Sequence, residues 1–350
     1  AQLTGFALSL SMIVSTVWLS PILGEDALAW GVAGAGVLQV LTLLPALLKD
    51  FRYSFRFQPK DPRFLKMLKL GVPALLSMAV TEMSHTVDQM IGSGLNKGDV
   101  SSMDYAFRLI TFITGVIGVP ITTIMFSKMS EKATNQGKLG IIDIVVESVE
   151  VLLMVLLPIV VLGCLLSNDI IRLAYMRGAF NEQSMLVTSG VFFSYLLGVV
   201  SYCVADLLNR SFHSMQKTRI TMVVSLIVMT TNAAISYLLS RFIGVNGLAL
   251  GTALSSFLGT AILFTLLRKN LGRLGLSTVA VELGKMLLSV CAALGAAWLL
   301  SRAMSGRNDL LQVLLRLLAS GGGGLIVYLG CLKLLGARQL GFLKLMLRRR

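Results

Sequence analysis

Glu82, His85, Asp88 and Arg108 are ionisable residues set inside stretches that are otherwise apolar. A charge in lipid is costly, so each requires a partner, a hydrated cavity or a role in handling a polar substrate. The first three lie in the run that begins Lys69-Leu70-Gly71-Val72-Pro73. Arg108 lies in the run that opens Asp104-Tyr105-Ala106-Phe107 and continues apolar to Phe126. Thr81, Ser84, His85 and Asp88 recur at helical spacing and share one face, which predicts that this face turns toward a bundle interior or a cavity. Asp88 lies near the end of its run and Arg108 near the start of the next, so in an antiparallel pair both sit roughly 8–9 Å in from the same end. Arg108 therefore has three readings. It snorkels to the interface, it forms a structural ion pair with Asp88, or it faces a hydrated cavity and contacts an anionic substrate. His85 reads as a hydrogen-bonded interior residue. Farther on, Asn232 and Ser236, then Thr252, Ser255 and Ser256, place small hydroxyl and amide groups in apolar runs. Such groups either coordinate a cation or bond across helices, and bonding across helices is the commoner use.

The elements that must position these residues follow from composition. The chain has 350 residues, 55% of them hydrophobic and only 14% charged, with a mean hydropathy of +0.80. A soluble domain carries about 25% charged residues, so this is an all-α polytopic transmembrane bundle. About ten apolar runs are long enough to cross a hydrocarbon core of about 30 Å. Their limits are 2–22, 27–48, 64–94, 103–127, 141–167, 185–209, 219–241, 246–267, 279–301 and 310–335. Connections between them are short. The segment Asn168 to Asn181 is too polar to span and is predicted to be an interfacial amphipathic helix. Pro120 and Pro158 fall inside spans, and Pro120 implies a kink. Gly31, Gly34, Gly36 and the run Gly321 to Gly324 are read as close-approach residues.

A formal net charge of +14 could suggest nucleic acid, but the basic residues sit in loops. Roughly 23 of the 31 Lys and Arg fall in the loops after spans 2, 4, 6 and 8 and in the tail, whereas the opposite side holds few, among them Lys97, Arg172, Arg177, Arg241 and Arg302. The positive-inside rule places the basic loops and the C-terminus in the cytoplasm, which excludes a nucleic-acid reading and leaves membrane lipid as the partner of these loops. No P-loop or dinucleotide fingerprint occurs. No His/Cys/Asp group has metal-ligand spacing, and no catalytic triad or carboxylate pair is present. The four cysteines all lie in apolar runs and read as packing residues. The expectation is a non-enzymatic transporter driven by an ion gradient, the membrane potential or the substrate gradient.

Several motifs together carry a family resemblance. They are Lys60-Asp61-Pro62, then Lys69-Leu70-Gly71-Val72-Pro73-Ala74-Leu75, Val87-Asp88, Tyr105-Ala106-Phe107-Arg108-Leu109, and Gly115-Val116-Ile117-Gly118-Val119-Pro120-Ile121-Thr122-Thr123. Arg177-Gly178-Ala179-Phe180 and Asn209-Arg210-Ser211-Phe212-His213 through Arg219 follow in order. The chain resembles the MurJ/MviN lipid II flippases of the multidrug/oligosaccharidyl-lipid/polysaccharide exporter superfamily. That resemblance implies the exporter-superfamily fold, with fourteen spans in two lobes of six and two additional C-terminal helices. Set against it, the chain is expected to begin at the fifth helix and to lack the first four. Residues 1–60 then correspond to the last two helices of the N-lobe and the linker, 61–270 to the C-lobe, and 271–350 to the two C-terminal helices and basic tail.

The resemblance also implies functions for residues. Arg108 matches the family's cavity arginine for the lipid-linked diphosphate, and with Asp88 and Glu82 it makes up the expected substrate-binding set. Asp88, Asn232 and Thr252 match a cation site described in some members. Some relatives carry Asp one turn after Asn232, where this chain has Ser236, and relatives often have an uncharged amide at the position of Glu82. Spans 9 and 10 match the helices that form a groove for the isoprenoid tail. The implied function is transfer of lipid II, the undecaprenyl diphosphate-linked peptidoglycan precursor, across the bacterial inner membrane by alternating access. Coupling to Na+, to protons or to the membrane potential is the implied drive, and the cell-wall synthesis machinery is an implied partner. Export of another polyprenyl-linked saccharide or a drug, and an inactive fragment or scaffold, are the alternative readings.

Overall fold

The computed structural model describes residues 2–24, 26–50, 60–272, 276–304 and 309–337, with side chains described outside 2–7, 28, 43, 46–50, 126–141 and 276–278. Every regular element among the described residues is helical. The chain forms two compact units, Ala1–Leu65 and Lys66–Arg350.

The first unit contains α1 (Gln2–Trp18), the short α2 (Ser20–Leu23) and α3 (Asp26–Asp50). Pro21 in the first turn of α2 separates it from α1, so the predicted first span is broken at Leu19. The helices α1 and α3 approach closely because Gly31 has no side chain. A Cβ there would lie 2.1 Å from Ser15 Oγ, and Ser11 Oγ donates to Gly31 O at 2.8 Å. Gly34 faces Ser11 as well, whereas nothing lies near Gly36.

Helix α4 (Pro62–Ser93), all but its first four residues in the second unit, reaches a tight turn closed by Gly98 at φ +94°. Then come α5 (Asp99–Ile113), a π turn (Thr114–Gly118) and α6 (Val119–Leu165). The kink predicted at Pro120 takes the form of that π turn. Proline offers no N–H and crowds the carbonyl four residues back, and widening the helix by one residue per turn relieves both problems.

The helical stretch α6 runs over 47 residues, where two spans and a short loop are predicted. The helix is nonetheless not straight. Thr122 Oγ1 bonds Asp206, and a Cβ on Gly163 would meet Leu196 Cδ1 at 3.1 Å. Residues 122 and 163 would be about 60 Å apart along a straight helix, yet their partners are about 15 Å apart on one helix. The chain therefore turns back within α6, between the candidate spans Asp99–Met125 and Ile142–Leu165.

The predicted interfacial segment forms α7 (Ser167–Tyr175), and α8 (Glu182–Ser214) follows, with Asn181 Oδ1 accepting from Ser184 N at 2.8 Å as its N-cap. The core is built on α8. Phe192, Tyr195, Leu196, Leu207 and Phe212 are buried against Met103, Ala106 and Ile110 of α5 and Leu152 and Leu156 of α6. Next come α9 (Thr218–Ile243) and α10 (Val245–Leu271), joined at Gly244. They touch at Gly251, where a Cβ would lie 2.8 Å from the backbone nitrogen of Ser236.

The final pair, α11 (Leu276–Ala303) and α12 (Leu310–Leu334), packs Met286, Val290, Tyr328 and Leu332 around Met154 of α6. Two of the four consecutive glycines justify the close-approach reading. A Cβ would meet Leu300 Cδ1 at 2.6 Å from Gly323 and Leu162 Cδ2 at 2.8 Å from Gly324. This pair is not purely apolar. Glu282 is buried and paired with Lys285 at 2.7 Å, and Arg316 pairs with Asp169 of α7. Among the described residues, eight helical segments are long and apolar enough to cross a membrane. The apolar parts of α1 and α3 among the described residues, Leu8–Trp18 and Ala29–Thr42, are shorter.

Candidate functional site

Asp88 is the most buried ionisable residue of α4, 2% exposed, and its partners are neutral. Asn232 Nδ2 donates to both carboxylate oxygens at 3.1 Å. Thr252 Oγ1 donates to Oδ2 at 2.9 Å. The network extends outward, since Asn232 Nδ2 also lies 3.0 Å from Ser84 Oγ. Asn232 Oδ1 accepts from Ser236 Oγ at 3.1 Å and Ser255 Oγ at 3.2 Å. The three residues of the expected cation site thus do converge, held by α4, α9 and α10. Ser77 Oγ and Ser225 Oγ, 2.7 Å apart, make a second link between α4 and α9.

This arrangement turns hydrogen-bond donors, not oxygen ligands, toward the carboxylate. A hard cation is held by oxygens that face one centre. Here the amide nitrogen of Asn232 faces the carboxylate, as an acceptor-only group demands, and the amide oxygen turns away toward Ser236 and Ser255. The cluster is a closed hydrogen-bonded node. Interhelical bonding, the commoner use of such groups, accounts for Asn232, Ser236, Thr252 and Ser255. No group of three or more His, Cys, Asp or Glu side chains placed to hold a metal ion occurs among the described residues.

Arg108 is not part of the node, and the ion-pair reading with Asp88 fails. On α5 the buried residues Ala106 and Ile110 face α8. Arg108 lies two residues from each, on the opposite side of the helix. It is exposed and makes no ion pair among the described residues. The polar link between α4 and α5 is instead Gln89 Nε2 to Asp104 Oδ1 at 2.9 Å, a pair that the sequence reading missed because neither residue lies centrally in a span.

Glu82 is exposed and outside the node. It precedes Asp88 by six residues, which on a helix turns it about 120° away, onto a different face. Thr81 also departs from the predicted polar face. It is exposed, and its hydroxyl turns back to Ser77 O at 3.0 Å. The ring of His85 packs on Phe107 with centroids 4.3 Å apart, and its buried Nε2 makes no hydrogen bond. The expectation of a hydrogen-bonded interior histidine is therefore not met at that nitrogen.

Two further polar sites emerge. Asp206 Oδ2 accepts from Arg210 Nε and from Thr122 Oγ1, each at 2.9 Å, and ties α8 to the start of α6 just past the π turn. Near the other end of α5, Tyr105 meets Tyr175 of α7 and Phe180, with ring centroids 4.8 and 5.6 Å from Tyr105. Arg177-Gly178-Ala179-Phe180 was legible as a motif. Its meeting with Tyr105, seventy residues earlier, was not.

Comparison with known proteins places this geometry. The family described as lipid II flippase MurJ matches residues 2–318. A probable lipid II flippase MurJ from Vibrio cholerae serotype O1 is 27% identical over 267 residues, covering 75% of this chain and 51% of that protein. The chain spans about half the length of the curated relatives it matches. A solved MurJ lipid II flippase in an inward closed conformation aligns with a TM-score of 0.74 at 22% identity, covering 98% of this chain and 68% of that one. A Vibrio cholerae MATE transporter, VcmN, aligns with a TM-score of 0.56 at 14% identity over 75% of this chain and 60% of its own. These two likenesses establish the exporter fold.

Proposed function

We propose that this chain, which belongs to the lipid II flippase MurJ family, acts in moving lipid II from the cytoplasmic to the outer leaflet of the bacterial inner membrane. The observation that carries the proposal is the family match across residues 2–318. Its chemistry centres on Arg108. A guanidinium exposed on a membrane helix, with no carboxylate partner among the described residues, is suited to the diphosphate of a polyprenyl-linked substrate, because it offers two parallel donors to an anionic group. Asp88 acts differently from the expected substrate contact. Its node with Asn232 and Thr252 fixes the arrangement of α4, α9 and α10 around the carrier. Glu82, exposed on a different face of α4, belongs with Arg108 as a second polar group available to the substrate.

Residues 61–270 form the substrate-handling lobe, 1–60 contribute helices of the opposite lobe, and 271–350 hold the isoprenoid tail along α11 and α12. Exposed leucines and isoleucine on α12, among them Leu311, Leu318 and Ile326, suit an apolar chain. Alternating access needs a flexible element, and the π turn ahead of Pro120 supplies one. The basic loops and C-terminus are cytoplasmic. The protein transports without catalysing a covalent step, and protons or the membrane potential supply the drive in preference to Na+.

The test is expression in bacteria depleted of their own lipid II flippase. Wild-type protein is expected to restore growth and to expose lipid II to a cleaving colicin outside the cell. Arg108→Ala, inserted at equal level, is expected to lose both. Growth of the Arg108→Ala strain at the wild-type rate would remove Arg108 from the substrate site. Export of another polyprenyl-linked saccharide with no lipid II exposed would overturn the substrate assignment.

A further inference from the structure

The recess bounded by Tyr105, Tyr175, Arg177, Phe180 and Ser184 has a volume of about 490 Å3. Three rings meet there. Beyond the two contacts of Tyr105, Tyr175 and Phe180 lie 6.0 Å apart with planes tilted by 42°. The rings are held in place, since Tyr175 Oη donates to Tyr105 O at 3.0 Å and Gly178, at φ +62°, turns the chain so that Phe180 comes back toward α5. Arg177 is fixed at the rim by one bond, Nη2 to Ala174 O at 2.6 Å. Its other N–H groups have no partner among the described residues. Arg108 lies close enough for its charge to pull the Tyr175 hydroxyl downward, against the larger upward push of burial. No carboxylate lines the recess. The nearest in sequence, Asp104 and Glu182, accept from Gln89 at 2.9 Å and pair with Arg172 at 2.8 Å respectively.

Arg177 at the rim, with Arg108 near enough to act on Tyr175 and no acid in the lining, opposes the pull of the ring faces on cations and favours an anion. Ring faces also favour a flat, C–H-bearing ring over a bare ion. A ligand that joins such a ring to an anionic group satisfies both. We propose that this recess binds a saccharide ring carrying a phosphate or carboxylate, with the ring against Tyr105 and Phe180 and the anion toward Arg177 and Arg108. The inference deepens the flippase reading, and it rests on that reading only for the statement that the saccharide is part of the transported head group.

The test uses the 350-residue chain in nanodiscs of zwitterionic lipid, with N-acetylglucosamine 1-phosphate and inorganic phosphate as probes followed by saturation-transfer NMR. The sugar phosphate is expected to bind about tenfold more tightly than phosphate. Tyr105→Leu and Phe180→Leu keep apolar volume without a ring. They are expected to erase that difference while thermal unfolding stays at the wild-type temperature. Arg177→Gln is expected to weaken both probes. Equal affinity for the two probes overturns the saccharide assignment, as does displacement of the sugar phosphate by phosphatidylglycerol added to the nanodiscs, which would make the recess a lipid headgroup site. Lack of binding overturns the site. Lipid II transfer measured on the same preparation separates the two proposals. Transfer without sugar-phosphate binding removes the recess alone, and binding without transfer removes the flippase reading alone.

Discussion

Asp88 and Arg108 are charged residues in neighbouring helices at similar depth, and the protein treats them in opposite ways. The carboxylate is sealed between α4, α9 and α10 and receives N–H and O–H donors from Asn232 and Thr252. The guanidinium lies on the side of α5 turned away from α8, exposed and without an ion pair among the described residues. A buried charge that is fully hydrogen-bonded fixes helices. A charge with unspent donors is available to a ligand. In the function proposed above, the first region serves stability and the second handles the substrate.

The comparison breaks if the roles exchange on mutation. The largest effect is expected at Arg108. Loss of one charged hydrogen-bonding group, about 1.5–3 kcal/mol, corresponds to a fall in lipid II transfer of roughly 10–150-fold for Arg108→Ala, with unchanged unfolding in detergent. Arg108→Lys keeps charge without the planar fork, so its activity is expected to fall between those of Ala and wild type. At the other region, Asn232→Leu removes the donor that serves both oxygens of Asp88. It is expected to destabilise the chain by about 3 kcal/mol in denaturant unfolding, since the carboxylate is left buried and largely unpaired. A transfer defect in Asn232→Leu with no loss of stability would show that the node is itself a substrate contact.

Gly251→Val tests whether the node depends on the close approach of α9 and α10. The added Cβ meets the backbone at Ser236, and a loss of about 2 kcal/mol is expected from overpacking. Tyr328→Phe removes the bond from Tyr328 Oη to Met154 O, 2.8 Å long. About 1 kcal/mol is expected, confined to the attachment of α12. The smallest expected effect is that of replacing Na+ by K+, which should leave the unfolding midpoint where it is. A rise in stability specific to Na+ would mean that the Asn232 amide turns over to admit the ion.

Much of this was legible in the chain itself. The apolar runs set the helices because backbone groups in lipid must be satisfied within each segment. Helical spacing put Ser84 and Asp88 on one face, and glycines marked the tight contacts at Gly31 and Gly324. The same spacing already placed Glu82 on a different face from Asp88, a signal present but unused. The Pro120 kink was legible as a position, though not as a π turn, since several local distortions relieve the same missing N–H.

Tertiary structure decided the rest. Depth along a helix follows from counting residues, and it made Asp88 and Arg108 look like partners. Which way each side chain points around the bundle depends on how α4 is rotated against α9 and α10, and no local pattern encodes that rotation. The same holds for the return of α6 upon itself, where helical hydrogen bonds are local but the turn answers to packing on α8. It holds also for the recess of Tyr105, Tyr175 and Phe180, whose parts are far apart in the chain. Short-range hydrogen bonding and hydrophobicity are written residue by residue, whereas the meeting of distant side chains exists only once the helices are packed.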